Sequence, residues 1–340
     1  MPPTTYERRP HLSRVKTEIL EDLDAVGPAA WQALHAASAL RSPFLSWTWQ
    51  SEWARAFAPG DRLEIRRVTD DAGRLLGVLP LHEAEPGVLR VLGGVHVSDY
   101  LDLLAESGRE SEVWSALLTS RPATRPLWDL HSVPAASPTV ERLPALAAEH
   151  GIEVAVAVEE QCPILELPAT WDAYLAGLSG KHRHEMLRKM RRLEREVPEA
   201  RAVGLASRAA VESRFDEFLT LHRHSRVGKA RFMDERMEAF FRRVAALLAD
   251  AGGFRLWLLD APGGPLASFL TLEWDGTVGL YNSGFRPEAA ALSPGLVLLA
   301  NVVRDAIERG RRRFDFLRGE ERYKYEFGPT PEAVYTVTIR

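Results

Sequence analysis

Apolar positions change their period repeatedly along the chain, and the changes mark out alternating helices and strands. In SPFLSWTWQSEWARAF, from Ser42, the aromatics Trp49, Trp53 and Phe57 recur every fourth residue, so a capped helix there has one aromatic face. Further helices are predicted over 29–40, 109–119 and 137–150. Strand-like runs occupy 62–68, 75–82, 88–92 and 127–132. Asp70–Arg74 joins the first two as a hairpin, and Tyr100–Leu104 also has strand character. Around Val154–Leu167 two short strand-like runs, VAVAV and ILEL, flank QCP, and a second αβ set follows. It has helices near 170–178, 181–196, 209–224, 234–250 and 295–309. Its strands fall at 254–260, 265–274, 277–284 and 312–317, and VYTVTI closes the chain. The pattern predicts an α/β (α+β) chain with a flexible polar arm over 1–16 and domains over 17–160 and 161–340. There is no strict sequence repeat, although both halves mix helix and strand in similar order.

One stretch of the second half predicts a complete strand–helix–strand unit. Val278–Asn282 reads as the first strand and Phe314–Leu317 as the second. Between them Ser293 is a natural N-cap, Pro294 suits the first helical turn, and Gly310 suits the C-cap. Leu296, Leu299, Val303 and Ile307 give that helix an apolar face. A crossover helix makes the two strands parallel. Its N-terminus then lies at the carboxyl end of the first strand, where free backbone N–H groups attract anions. The second strand delivers EERYKYEF, a dense polar run, to the same edge, where ligands of αβ sheets usually sit. The same pattern also describes a helix cap and a solvated loop without a ligand.

Composition narrows the partners. The chain has 340 residues and a formal net charge of −4, so no global field draws it to nucleic acid or an anionic membrane. Its single cysteine, Cys162, excludes an internal disulfide framework and a cysteine-built zinc site. MPPTTYERRP has no apolar core of a signal peptide, and GLVLLANVV is about half the length that spans a bilayer. These features lead us to expect a cytoplasmic protein without a membrane span, a metal or a nucleic-acid partner. His222 and His224, two apart on a helix, do not share a face and so do not make a metal site. KHRHEMLRKMRRLER carries positive charge all round with a Met186–Met190–Leu193 seam. It reads as a solvated amphipathic helix rather than a nucleic-acid patch, with an anion-binding surface as the functional alternative.

Several motifs resemble those of the CelD-like acetyltransferases, a branch of the GNAT superfamily related to the Fem-type aminoacyl transferases. They are SPFLSWTWQSEW, LGGVHVSDYLDLL, LSGKHRHEMLRKMRRLE, FLTLHR, LYNSGFRPE, LSPGLVLL and FDFLRGEERYKYEFG, in order over roughly 40–328. The resemblance implies two tandem GNAT-like domains with mixed central sheets, the first a degenerate copy that shapes the substrate cleft. It also implies acyl transfer from acetyl-CoA or another acyl-CoA to an amine, with pantetheine between the two parallel strands and pyrophosphate on the helix N-terminus. That maps cofactor binding onto Asn282, Ser293, Gly295 and Leu296. The chain departs from the family pattern in having ALSPGL, with one glycine, where GNAT enzymes carry a glycine-richer turn. A Fem-type aminoacyl-tRNA-dependent transferase and a non-catalytic interaction protein that keeps the fold are the two alternatives.

Amine acylation needs a neutral nucleophile, a polarised thioester carbonyl and a proton for the leaving thiolate. Asp315, an acid between two phenylalanines, is the leading acid–base or anchoring candidate, and a structural hydrogen-bond acceptor is its other reading. Glu320, Tyr323 and Lys324 follow: Tyr323 as proton donor to sulfur, Lys324 for a phosphate or carboxylate. Asp99, Tyr100 and Asp102 form a second group, placed to hold a cationic small-molecule or polymer amine acceptor. Asp99 as a simple turn cap is the alternative. Tyr281 ends the first parallel strand and either touches substrate or packs in the core.

Overall fold

The computed structural model describes residues 15–94, 96–122, 124, 126–225 and 227–340. Its strands are β1 (Lys16–Leu20), β2 (Leu63–Thr69), β3 (Leu75–Glu85), β4 (Val88–Val91), β5 (Leu104–Ala105), β6 (Leu127–Pro134), β7 (Val154–Glu166), β8 (Arg201–Leu205), β9 (Phe254–Asp260), β10 (Ala267–Trp274), β11 (Thr277–Phe285), β12 (Arg313–Asp315) and β13 (Thr330–Ile339). The helices are α1 (Pro28–Ala37), α2 (Trp47–Phe57), α3 (Glu110–Thr119), α4 (Pro138–Glu149), α5 (Trp171–Gly177), α6 (Gly180–Glu196), α7 (Arg208–Ser225), α8 (Val227–Phe232), α9 (Glu235–Asp250), α10 (Pro294–Glu308) and α11 (Arg322–Tyr325). The arm expected over 1–16 lies outside the described residues up to position 14, and Lys16 already opens β1.

The strands form one 13-stranded sheet in the order β1-β2-β3-β4-β6-β13-β7-β12-β11-β10-β9-β8, with β5 beside β3. The separate central sheets expected of two tandem domains are therefore corrected to a single continuous sheet. Each half nevertheless repeats one pairing pattern. From β1 inward the neighbours are antiparallel three times, then parallel (β4–β6), then antiparallel (β6–β13). From β8 inward the same series ends in parallel β11–β12 and antiparallel β12–β7.

The middle of the sheet explains why the halves do not part at residue 160. VAVAV and ILEL are one strand, β7, which pairs along most of its length with β13 and through Ile164–Glu166 with β12. The last strand of the chain thus sits against β6 of the first half, and β7 closes the second half. Each half completes its sheet with a strand that the other supplies.

Apolar side chains on the two sheet faces make two cores. Phe314 and Phe316 face the layer of α10, α6 and α5, together with Leu280, Leu299 and Phe327. Leu317 faces the other way, into the larger core that joins α7 and α9 to α2 and the first half. Helix α10 is buried nearly all round, wider than the single face its sequence predicts, because the sheet and α6 both pack on it. Trp49 and Trp53 of α2 are buried as their spacing predicts.

Candidate active site

The site begins where β11 and β12 stop pairing. Their parallel register covers only Thr277–Arg313, Val278–Phe314 and Gly279–Asp315. Asp315 ends the ladder. Its Oδ1 accepts from Leu317 N at 2.7 Å, a side-chain turn that puts Leu317 at φ 55°, a left-handed conformation unusual outside glycine. Beyond it, Phe316 N and Gly319 N bond to Pro163 O and Gln161 O of β7, not to β11. This is why the strand predicted over 312–317 shortens to three residues. On the facing strand a bulge adds Tyr281 between the residues paired with Leu270 and Thr271 of β10.

The resulting splay opens a cavity of about 210 Å³. Leu280, Tyr281, Asn282 and Ser283 form one wall, and Phe316, Leu317 and Arg318 the other. His96, Asp99, Lys229, Glu321 and Tyr323 also line it. Tyr281 is both wall and core: its ring packs on Phe44, Trp49 and Phe241, and its hydroxyl donates to Val97 O at 2.6 Å. Asn282 is held by His222, whose Nε2 lies 3.1 Å from its Oδ1. Burial, and then Lys229, lowers the His222 pKa to about 4, so the ring is neutral there. His224, by contrast, is exposed.

The first half enters the site through the loop 92–103. Gly93 and Gly94 let it turn at positive φ, and a Cβ on either would meet Leu101 and Ser98, or Trp53. Trp49 Nε1 donates to Ser98 Oγ at 2.8 Å, so the first two motif segments fix one another. Asp99 Oδ1 accepts from Arg318 Nε at 2.6 Å, and Arg318 also donates to Ser98 O at 3.0 Å. Behind Arg318, Glu159 ties into His131 and Ser132 N. Hydrogen bonds to Asp129 and Glu159 raise His131 to about 9.

The candidate residues fall into distinct places. Asp99, Tyr281, Asn282, Tyr323 and Lys324 line the splay cavity, and Leu296 and Gly295 stand at the α10 N-terminus. Lys324 is buried, however, and its ammonium lies 2.8 and 2.9 Å from Arg318 O and Gly319 O and 2.9 Å from Glu321. Those contacts occupy its three donors, so it clasps the turn instead of presenting a charge to a ligand. Glu320 is exposed and accepts from Tyr325 Oη. Asp102 is buried away from the splay, where Ser137 Oγ, Thr139 Oγ1 and Leu103 N donate to it and burial raises it to about 6. It anchors the first turn of α4. Asp315 faces a different cavity and takes a hydrogen bond from Tyr100.

Ser293 does occupy the N-cap of α10, but with φ 52° and no capping hydrogen bond from its side chain. A Cβ on Gly295 would stand in open space. Basic α6 packs beside this helix end, with His182, Met186 and Lys189 near Leu296 and Val297. Arg318, Lys229, Ser283 and His222 are site residues that sequence reasoning missed. His222, Ser283 and Arg318 carried a signal, since they lie within FLTLHR, LYNSGFRPE and FDFLRGEERYKYEFG, whereas Lys229 lies outside every quoted motif.

Residues 180–325 match the family model described as an acetyltransferase (GNAT) domain. No curated protein sequence matches the chain. Among solved structures, FemX shares the fold at a TM-score of 0.63 and 12% identity, covering 94% of this chain and 96% of its own. A conserved protein of unknown function from Bacteroides thetaiotaomicron superposes at 0.61 with 14% identity, over 95% and 99% of the two chains. L-PGS from Bacillus licheniformis does so at 0.57 with 12% identity, over 92% and 91%. Among the described residues, no helix is long and apolar enough to cross a membrane. Residues 180–325, which surround the β11–β12 splay, therefore match a GNAT-type acetyltransferase domain, and the chain as a whole shares the fold of FemX.

Proposed function

We propose that the protein is an acyl-CoA-dependent N-acyltransferase of the CelD-like branch, built from two GNAT-like domains, with its amine acceptor in the cleft between the halves. The observation that carries this reading is the splay itself. A cavity lies between two parallel strands, and the helix that connects them, α10, starts beyond the carboxyl end of β11 with no side-chain cap. Acyl-CoA would place its phosphates against the α10 and α6 ends and its thioester between β11 and Arg318, with Gly295 leaving room for close approach. The loop 92–103 then bounds the acceptor side.

The chemistry would run through direct attack. The amine nitrogen bonds to the thioester carbonyl carbon and the carbon–sulfur bond breaks. Asp99, directly or through water, takes the proton that the nitrogen loses, and the Tyr323 hydroxyl protonates the departing thiolate. Asn282, oriented by His222, offers its amide N–H to a carbonyl oxygen. A Fem-type aminoacyl-tRNA donor is the rival, favoured by the exposed arginines of α6 beside the same helix end. Thermal-shift titration with acetyl-CoA, longer acyl-CoAs and aminoacyl-tRNA separates the two, since a ligand of the native state raises its stability. Stabilisation by aminoacyl-tRNA and by no CoA ester would replace the first reading with the second.

A further inference from the structure

A second cavity, of about 160 Å³, lies lower on β12 and shares no lining residue with the splay. Its walls are apolar: Leu40, Ile164, Trp274 and the alanines and prolines of 134–138. Tyr100, Ser137, Cys162, Thr277, Arg313, Asp315 and Glu332 supply its polar surface. The volume is that of a site holding a single benzene-sized group, about 150 Å³.

Asp315 makes this cavity chemically specific. The carboxyl is buried, and its hydrogen-bond donors there are the Tyr100 hydroxyl and Leu317 N, both neutral. Arg313, on the same strand, is engaged by Glu166 at 2.5 Å and Glu332 at 2.7 Å. The other titratable groups facing Asp315 are Cys162 on β7, Glu332 on β13 and Asp99 on the loop. Asp99 and Glu332 both disfavour its ionisation. A carboxylate has about four acceptor sites, so two donors leave capacity for a ligand N–H. An ionised carboxyl in such a place is costly until a cation joins it. Trp274 adds an aromatic wall of the kind that favours an organic cation.

We propose that this cavity binds a small primary amine with a compact hydrocarbon body, its ammonium on Asp315 and its hydrocarbon against Leu40, Ile164 and Trp274. The site is separate from the acyl-transfer reading and stands without it. Burial holds the Asp315 pKa at about 7, so an arriving ammonium displaces a proton. Affinity therefore rises with pH through about 7 for as long as the amine stays protonated.

Isothermal titration with cyclohexylamine and with cyclohexanol, at pH 6 and pH 8, tests this. The wild type is expected to bind the amine about tenfold more tightly at pH 8, and to prefer it to the alcohol. Asp315→Asn should remove the preference and the pH dependence. Leu40→Trp, which fills the cavity and leaves the carboxyl in place, should remove amine binding even if Asp315→Asn fails to fold. The proposal is overturned by equal affinity for alcohol and amine. Amine binding that survives Leu40→Trp, or no amine binding at millimolar concentration, would overturn it too.

Discussion

The hydroxyl of Tyr100 donates to Oδ2 of Asp315 at 2.7 Å, joining residues 215 apart in sequence and in opposite halves of the chain. Both are buried, and the same carboxyl holds Leu317 N on its other oxygen. One side chain thus ends β12, opens the splay and ties the first half to it. Tyr100→Phe leaves the ring and removes the donor. It should destabilise the protein by about 1–3 kcal/mol in urea unfolding, the usual result of orphaning a buried acceptor. A loss within experimental error would mean that the bond does not hold the halves together.

The pH dependence follows from burial, which raises Asp315 from an ordinary 3.8 to about 7. The native state therefore keeps a proton that the unfolded chain releases. This contribution is complete below about pH 4 and disappears as pH rises through about 7. Asp315→Asn cannot titrate, so wild type should lose on the order of 3 kcal/mol relative to it between pH 4.5 and 8. Asp102, raised in the same direction, is present in both proteins and cancels. A wild-type-minus-variant difference that is flat with pH, or that grows in favour of wild type, contradicts the assignment.

Lys324 gives a sharp contrast between scaffold and chemistry. Its ammonium is spent on the carbonyls of Arg318 and Gly319 and on Glu321. Lys324→Met keeps the length and removes every donor, so the melting temperature should fall with a loss of about 1–3 kcal/mol. Unchanged stability with weaker acetyl-CoA binding would instead place that charge on a ligand.

Gly284 marks the closest approach of α7 to β11. A Cβ there would run into the backbone of Leu221 and His222, with His222 Cα at 2.7 Å. Backbone cannot swing aside as a side-chain tip can. Gly284→Ala should therefore cost about 1–3 kcal/mol and disturb the His222–Asn282 contact. The His222 ring resonances in an NMR spectrum would report that shift. Wild-type stability with unmoved resonances would show that the helix has room to spare.

Local patterns exposed much of this architecture and little of its long-range pairing. The α2 aromatic face and the α10 cap-and-glycine frame were legible because each is set within a few residues. The placement of β13 between β6 and β7 was not, because pairing across the sheet leaves no mark on VYTVTI itself. The same holds at the site. Asp315 stood out as an acid among phenylalanines, yet its partner Tyr100 lies in the other half. Lys324 looked like a free charge in a polar run, and only the turn at Gly319, with φ 106°, shows its ammonium facing inward to carbonyls. Lys229 and His222 come from a helical layer whose contact with β11 is set by Gly284, a residue with no side chain to advertise it.

The central claim is that an acyl-CoA lies in the β11–β12 splay with its phosphates at the α10 N-terminus. Calorimetric titration of acetyl-CoA into wild type and Gly295→Glu tests it most directly. The new side chain enters open space, so the fold is expected to survive, while its negative charge meets the phosphates. Wild type should bind, and the variant should bind ~10-fold or more weakly, as expected when a charge-assisted contact of roughly 1.5–3 kcal/mol is lost. Equal affinity in a folded variant, or no binding by wild type at millimolar acetyl-CoA, would contradict the account.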